Sequence, residues 1–89
     1  MYKTTFKEGF LEDIKDINDK QSQENLKKKI KQIAEIVELN PKHYKPLRKP
    51  LQGYCRVHVN DSFVLIFKVY SDSKTVDFVR YAHHDEAYK

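Results

Sequence analysis

The chain has 89 residues, and its 17 lysines and arginines against 13 aspartates and glutamates give a formal net charge of +4. This length predicts a single domain, residues 1–89, and excludes a second hydrophobic core; the lone cysteine excludes an internal disulfide framework and a four-thiolate zinc site. No apolar run is long enough to span a bilayer, so we expect a cytoplasmic protein with no membrane partner, and the positive charge favours RNA, DNA or an acidic protein as its partner.

The first part of the chain predicts a short strand followed by two amphipathic helices. Residues 1–4 suit a strand, and Thr5 followed by Glu8 matches a capping box at the start of the first helix. Ser22 is the predicted N-cap of the second helix, which Asn40-Pro41 ends. The apolar residues on one face are Phe6, Phe10, Ile14 and Ile17 in the first helix, and Leu26, Ile30, Ile33 and Val37 in the second.

The sequence contains two basic segments, one within the second predicted helix and one after it. The lysine run at 27–31 is either the solvated face of the second helix or a face that contacts phosphates, and the two interpretations are compatible. The segment 42–51, KHYKPLRKPL, contains two prolines and predicts an extended or turning loop.

The last part of the chain predicts three antiparallel strands. Cys55, Val57 and Val59 point to one face of the first, and Arg56 and His58 point to the other. The order β-α-α-β-β-β predicts an α+β fold in which a helical hairpin packs on one face of an antiparallel sheet. The uncovered face would then carry the arginine and the histidine. The predicted strands are 53–59, 63–70 and 75–82.

The segment KPLQGYCRVHVNDSFVLIFKV and the closing VRYAHHDEAY resemble the RelE/ParE superfamily of bacterial and archaeal toxins, in particular its YafQ branch. Members of this family are small mRNA endonucleases encoded beside an antitoxin. They cut the message in the ribosomal A site, without a metal, by attack of the ribose 2′-hydroxyl on the adjacent phosphate. The resemblance therefore implies an endoribonuclease with no cofactor, whose partners are an acidic antitoxin, the ribosome and mRNA.

The resemblance assigns catalytic roles to four residues of this sequence, His58, Arg80, His84 and Tyr88. Histidine suits the two proton transfers because its unperturbed pKa is about 6.5. The planar fork of arginine meets phosphate oxygens two at a time and suits the charge that develops on phosphorus. The tyrosine ring offers a face on which an unstacked base can lie.

Four further residues are expected to bind the substrate. Lys49 stands where the branch has another histidine, and Arg56 would assist the catalytic arginine. Asp61 lies beside the turn position at which the branch has an acid, and Phe63 offers a second ring face for base stacking.

Other interpretations stay open. A ParE-like protein that inhibits DNA gyrase by binding would not need His84 or Tyr88, and a non-catalytic RNA-binding module would share the fold. His83 is interpreted as a solvated bystander and His43 as a loop residue. No CxxC or HxxxH spacing prepares a zinc site, so we expect no metal.

Overall fold

The structure, a computed structural model, describes residues 2–49, 52–60 and 62–85. Its elements are β1 (Lys3–Phe6), α1 (Glu8–Lys15), α2 (Lys20–Leu39), β2 (Cys55–Val59), β3 (Phe63–Tyr70) and β4 (Thr75–His83). The two helices pack on a four-stranded sheet of order β1-β4-β3-β2. The predicted antiparallel pairing is confirmed for β2, β3 and β4, whereas β1 pairs with β4 in parallel and makes the sheet mixed.

The core lies between the helices and one face of this sheet. The predicted apolar face of α2 is confirmed, since Leu26, Ile33 and Val37 are buried and Ile30 packs beside them. β3 contributes alternate residues, as the pleat requires, and β4 contributes Val76, Phe78 and Tyr81. The buried cluster is Phe10, Leu26, Ile33, Val37, Cys55, Val59, Leu65, Phe67, Val76, Phe78 and Tyr81.

The start of α1 differs from the prediction. Thr5 lies in β1, where its hydroxyl donates to Asp77 Oδ1 at 2.7 Å, so it does not cap a helix. The N-cap is Lys7, and no side chain of the described residues caps it. Phe6 consequently belongs to β1 instead of the apolar face of α1. Pairing with a strand from the far end of the chain overrides the local capping signal.

The start of α2 is also corrected, by three residues. Its N-cap is Asp19, whose carboxylate accepts the backbone N–H of Ser22 at 2.8 Å. Ser22 is therefore the residue that donates to the cap. The predicted end is confirmed, because the helix stops at Leu39 and Asn40 is its C-cap.

The alternation predicted for β2 is confirmed. Cys55 and Val59 are buried in the core, while Arg56 and His58 are exposed on the opposite face. Segment 42–49 forms turns and extended chain, in agreement with the predicted loop. Among the residues that the structure describes, no helix has both the length and the apolar composition to cross a bilayer.

Candidate functional site

A β-bulge in β4 decides which way Arg80 faces. Ile66 pairs with Arg80 and Phe67 pairs with Phe78, so Val79 is an extra residue in the strand. Because of this insertion, Phe78 faces the core while Arg80 lies on the face opposite the helices, together with Ile66. A bulge of this kind leaves no signal in the alternation of the sequence.

The N-terminal part of β4 is paired with β1, but the pairing ends at Phe78, and α1 lies along the remaining edge. The helix comes close to the strand at Gly9, where an added Cβ would lie 3.1 Å from Cδ of Arg80. Asp13, one turn further along α1, then faces the unpaired edge of the strand. The small residue thus allows the contact on which the geometry of Arg80 depends.

Asp13 binds both the side chain of Arg80 and the strand itself. Its Oδ2 accepts from Arg80 Nε at 2.7 Å and from the backbone N–H of Tyr81 at 2.8 Å, and its Oδ1 accepts from Arg80 Nη2 at 3.1 Å. The arginine side chain is half exposed, whereas the aspartate side chain is 15% exposed. The guanidinium is therefore held in one orientation at the surface by a carboxylate that is itself fixed to the backbone.

A cavity of about 370 Å³ opens beside this ion pair. Asp19, the N-cap of α2, lines this cavity. Its pKa is lowered, mainly because its carboxylate accepts a hydrogen bond from the backbone N–H of Ser22. This acid stays ionised at neutral pH, so the cavity is acidic around the guanidinium. Its charged and aromatic lining includes Asp13, Asp16, Asp19, Phe63, Arg80 and His83.

Aromatic rings form the wall of the cavity at the end of β4. Phe63 stacks on Tyr81 with ring centroids 5.0 Å apart, and the edge of the His83 ring meets Phe63 at 5.6 Å. One face of Phe63 is therefore already covered by protein. Burial raises the pKa of the Tyr81 hydroxyl, which stays protonated at neutral pH.

His84 lies in the turn directly after β4. Its backbone N–H donates to the carbonyl of Ser62 at 2.8 Å, which fixes the turn against the start of β3. Its Nδ1 lies 3.0 Å from Asp85 Oδ1, and its ring stacks on His83 at 4.7 Å. His83, His84 and Asp85 thus bring three metal-binding atoms within 4.8 Å of one another.

His58 lies on the other side of β3. It pairs with Val64, which in turn pairs with Ala82 of β4, so its Cα is two strand spacings, about 10 Å, from β4. It lines a separate depression of about 390 Å³ together with Lys28 and Lys29 of α2. Two lysines of the predicted basic run therefore line the same depression as this histidine.

The predicted site residues divide into three groups. Phe63 and Arg80 line the same cavity, His84 lies in the turn that follows β4, and Arg56 lies across Ile66 from Arg80 in the same row of the sheet. His58 and Lys49 line two other depressions. Tyr88 and Asp61 lie outside the described residues.

Two residues at this place were missed or set aside by the sequence patterns. Asp13 carries no local signal, because its partner Arg80 is 67 residues further along the chain. His83 was interpreted as a bystander, yet it lines the cavity beside Arg80. The role of Asp13 could be found only by knowing that α1 packs beside β4. The position of His83 could be found only by knowing where β4 ends.

Comparison with known proteins identifies the family. The chain is 49% identical over 70 residues to the RelE4 protein of Methanocaldococcus jannaschii, which covers 79% of this chain and 73% of that protein. A metal-bound toxin from Helicobacter pylori has a TM-score of 0.74 at 25% identity, with 98% and 99% of the two chains covered. The Escherichia coli DinJ-YafQ complex gives 0.72 at 23% identity, with both chains fully covered. A family model described as the ParE toxin of the type II toxin-antitoxin system parDE matches residues 5–88. The chain therefore belongs to the ParE toxin family of type II toxin-antitoxin systems, with the RelE-like fold that its sequence predicted.

Proposed function

We propose that this toxin is a cytoplasmic endoribonuclease that cleaves mRNA in the ribosomal A site. The reaction would be attack of a ribose 2′-hydroxyl on the adjacent phosphate, with no metal in the chemical step. The observation that supports this most is an oriented, half-exposed arginine in β4, with the imidazole of His84 in the turn that follows the same strand. Arg80 is held by Asp13, and His84 is held by the turn that Ser62 anchors.

Arg80 would stabilise the negative charge that builds up on the phosphorus. A donor that is already oriented need not reorganise during the reaction, and this is the main source of electrostatic catalysis. The ion pair with Asp13 supplies that orientation while half of the arginine side chain stays exposed to a substrate. Arg56, in the same row of the sheet, would contact a neighbouring phosphate.

His84 would carry one of the two proton transfers. The Asp85 carboxylate lies 3.0 Å from its Nδ1, an arrangement in which the carboxylate accepts the Nδ1 proton and Nε2 exchanges a proton with the substrate. His58 would be the second proton-transfer group, reached by a message that crosses β3 toward the lysines of α2. Tyr88, Phe63, Lys49 and Asp61 would contact the flanking nucleotides.

The direct test uses purified ribosomes and a reporter mRNA whose new 5′ ends are mapped. The intact protein should cut the message, and His84→Gln should lower the rate about 10²-fold to 10⁴-fold. His43→Gln is the matched control, because His43 packs against Tyr44 in the loop after α2. No cleavage by the intact protein, or equal cleavage by His84→Gln, would contradict the proposal.

A second candidate function is inhibition of DNA gyrase without catalysis, which the match to the ParE toxin model favours. A protein of this kind would block supercoiling by purified gyrase and leave the reporter mRNA intact. In either case the natural partner would be an acidic antitoxin, because the toxin carries a net charge of +4.

A further inference from the structure

Three side chains that bind metal ions meet at the turn after β4. His84 Nδ1 lies 3.0 Å from Asp85 Oδ1, and His83 Nδ1 lies 3.6 Å from Asp85 Oδ2. All three donor atoms fall within 4.8 Å of one another. Ligands about 2.1 Å from a tetrahedral ion are about 3.4 Å apart, so small side-chain rotations would bring these atoms around one ion.

The turn is what creates this cluster. In an extended strand, neighbouring side chains point to opposite faces, and for this reason adjacent histidines give no metal-site spacing in a sequence. Here the strand ends at His83, and the rings of His83 and His84 stack at 4.7 Å with 28° between their planes. Both imidazoles therefore present their Nδ1 atoms to Asp85.

Neighbouring residues already hold His83 and His84 in place, so an ion would have to immobilise little more of these side chains. His83 pairs with Phe63 in the sheet, and the two rings make a T-shaped contact. The backbone N–H of His84 is bound to the Ser62 carbonyl. Ligand atoms supported in this way lose less conformational freedom on binding, which favours affinity.

A hydrogen bond indicates which nitrogen of His83 has a free lone pair for binding an ion. The backbone N–H of Asp85 donates to His83 Nδ1 at 3.3 Å, so this atom carries a lone pair directed into the cluster. The bond is long, and a cation would compete with it readily. The His83, His84 and Asp85 side chains are 39%, 48% and 71% exposed, which leaves room for an ion and for water ligands.

We propose that His83, His84 and Asp85 form a binding site for one first-row divalent cation. Two imidazole nitrogens and one carboxylate oxygen suit Cu²⁺, Ni²⁺ and Zn²⁺, and affinity for a site of this kind is highest for Cu²⁺. Mg²⁺ prefers an all-oxygen shell and is excluded by the nitrogens. The carboxylates of Asp16 and Asp19, in the cavity that His83 lines, add a negative potential that attracts the cation.

A consequence concerns the reaction, and it rests on the proposed function. An ion on His84 Nδ1 displaces the Asp85 carboxylate from that nitrogen, and the single proton of the neutral ring then lies on Nε2. The imidazole can then no longer accept a proton from the substrate. The metal would therefore inhibit the nuclease and would not assist it.

The binding test needs no RNA. Metal-free ¹⁵N-labelled protein is titrated with CuCl₂, and binding is followed by calorimetry and by paramagnetic broadening of amide signals. We expect one equivalent of Cu²⁺, with the first signals lost at residues 83–85 and at Ser62 and Phe63. His83→Ala and Asp85→Asn should raise the dissociation constant about tenfold or more. His58→Ala and His43→Ala, two histidines outside the turn, should leave it unchanged.

Several results would overturn the proposal. These are a dissociation constant unaffected by His83→Ala and Asp85→Asn, broadening centred on residue 43 or 58, and binding of Mg²⁺ as tight as that of Cu²⁺. Circular dichroism of each variant shows whether it is folded, so a lost site is not confused with a lost fold. The metal titration contains no mRNA, so its result does not depend on nuclease activity. A protein that binds Cu²⁺ but does not cleave mRNA would contradict the proposed function and not the metal site.

Discussion

Asp13 and Arg80 form a two-point ion pair across 67 residues of sequence, and the same carboxylate accepts the backbone N–H of Tyr81. One side chain thus attaches α1 to the edge of β4 beyond the last residue that β1 pairs. The arginine that would face the scissile phosphate is positioned by the same contact. Asp13 therefore links the stability of the fold to the orientation of the arginine that we propose to be catalytic.

Asp13→Asn should lower the free energy of unfolding by about 1 kcal/mol, because the half-exposed ion pair is lost while an amide oxygen still accepts from Tyr81. Urea denaturation measures this change. Asp16→Asn is the control, since this residue lines the same cavity and has no ion pair among the described residues; its effect should stay below about 0.5 kcal/mol. A double-mutant cycle with Arg80→Gln that shows no coupling would contradict the link.

Arg80→Lys should separate charge from geometry. Lysine keeps the positive charge but loses the planar fork, so the rate of mRNA cleavage should fall about 100-fold while the protein remains folded. The same 5′-end assay measures the rate, and thermal melting confirms the fold. Arg56→Lys should have a smaller effect, because the role proposed for Arg56 is only to assist Arg80. Undiminished cleavage by Arg80→Lys would exclude bidentate contact with the phosphate.

Asp19 should make the stability of the protein depend on pH in acid. Its pKa is lowered from the ordinary value of 3.8, first of all by the hydrogen bond from the backbone N–H of Ser22. The ionised cap is therefore favoured in the folded state, and its stabilising effect is complete above pH 3.8 and is lost as the pH falls through the lowered value.

Asp19→Asn keeps a capping oxygen but cannot ionise. The difference in melting temperature between this variant and the parent should therefore be largest near neutral pH and should shrink below pH 3.8. Melting curves between pH 3 and pH 7, followed by circular dichroism, give the comparison. A constant difference over this range would contradict the assignment of Asp19 as an ionised cap.

Cys55 should react slowly with thiol reagents while the protein is folded. Its side chain belongs to the core, with the residue 3% exposed, and burial raises the pKa of its thiol. Thiolate is the reactive form, so both effects lower the rate of alkylation. Iodoacetamide at pH 8 should modify the urea-unfolded chain quickly and the native protein only through opening. Equal rates would show that Cys55 is not buried in the core of the native protein.

The sequence was most informative where the pattern of a single element decides the structure. The bounds 63–70 predicted for β3 agree with the strand Phe63–Tyr70, and β4 extends only one residue beyond its predicted end. The apolar face of α2 was likewise read correctly, because a buried helix face repeats with a fixed period. Family resemblance added the residues of the candidate site at the end of β4.

Long-range contacts account for what the sequence did not predict. Thr5 matches a helix cap in the sequence, but its hydroxyl donates a hydrogen bond to Asp77, 72 residues away. The bulge at Val79 depends on the register between β3 and β4. The contact between Asp13 and Arg80 can be predicted only when that register is known. The separation of His58 from Arg80 by β3 follows from strand order, which local patterns do not contain.

The parallel pairing of β1 with β4 joins residues 3–6 to residues 75–78. A chain made from its N-terminus cannot complete this sheet until β4 has been synthesised, and closing so long a loop slows folding. The edge of β4 that receives Asp13 is formed in the same event. The geometry of Arg80 should therefore form late in folding, only once β4 has paired with β1.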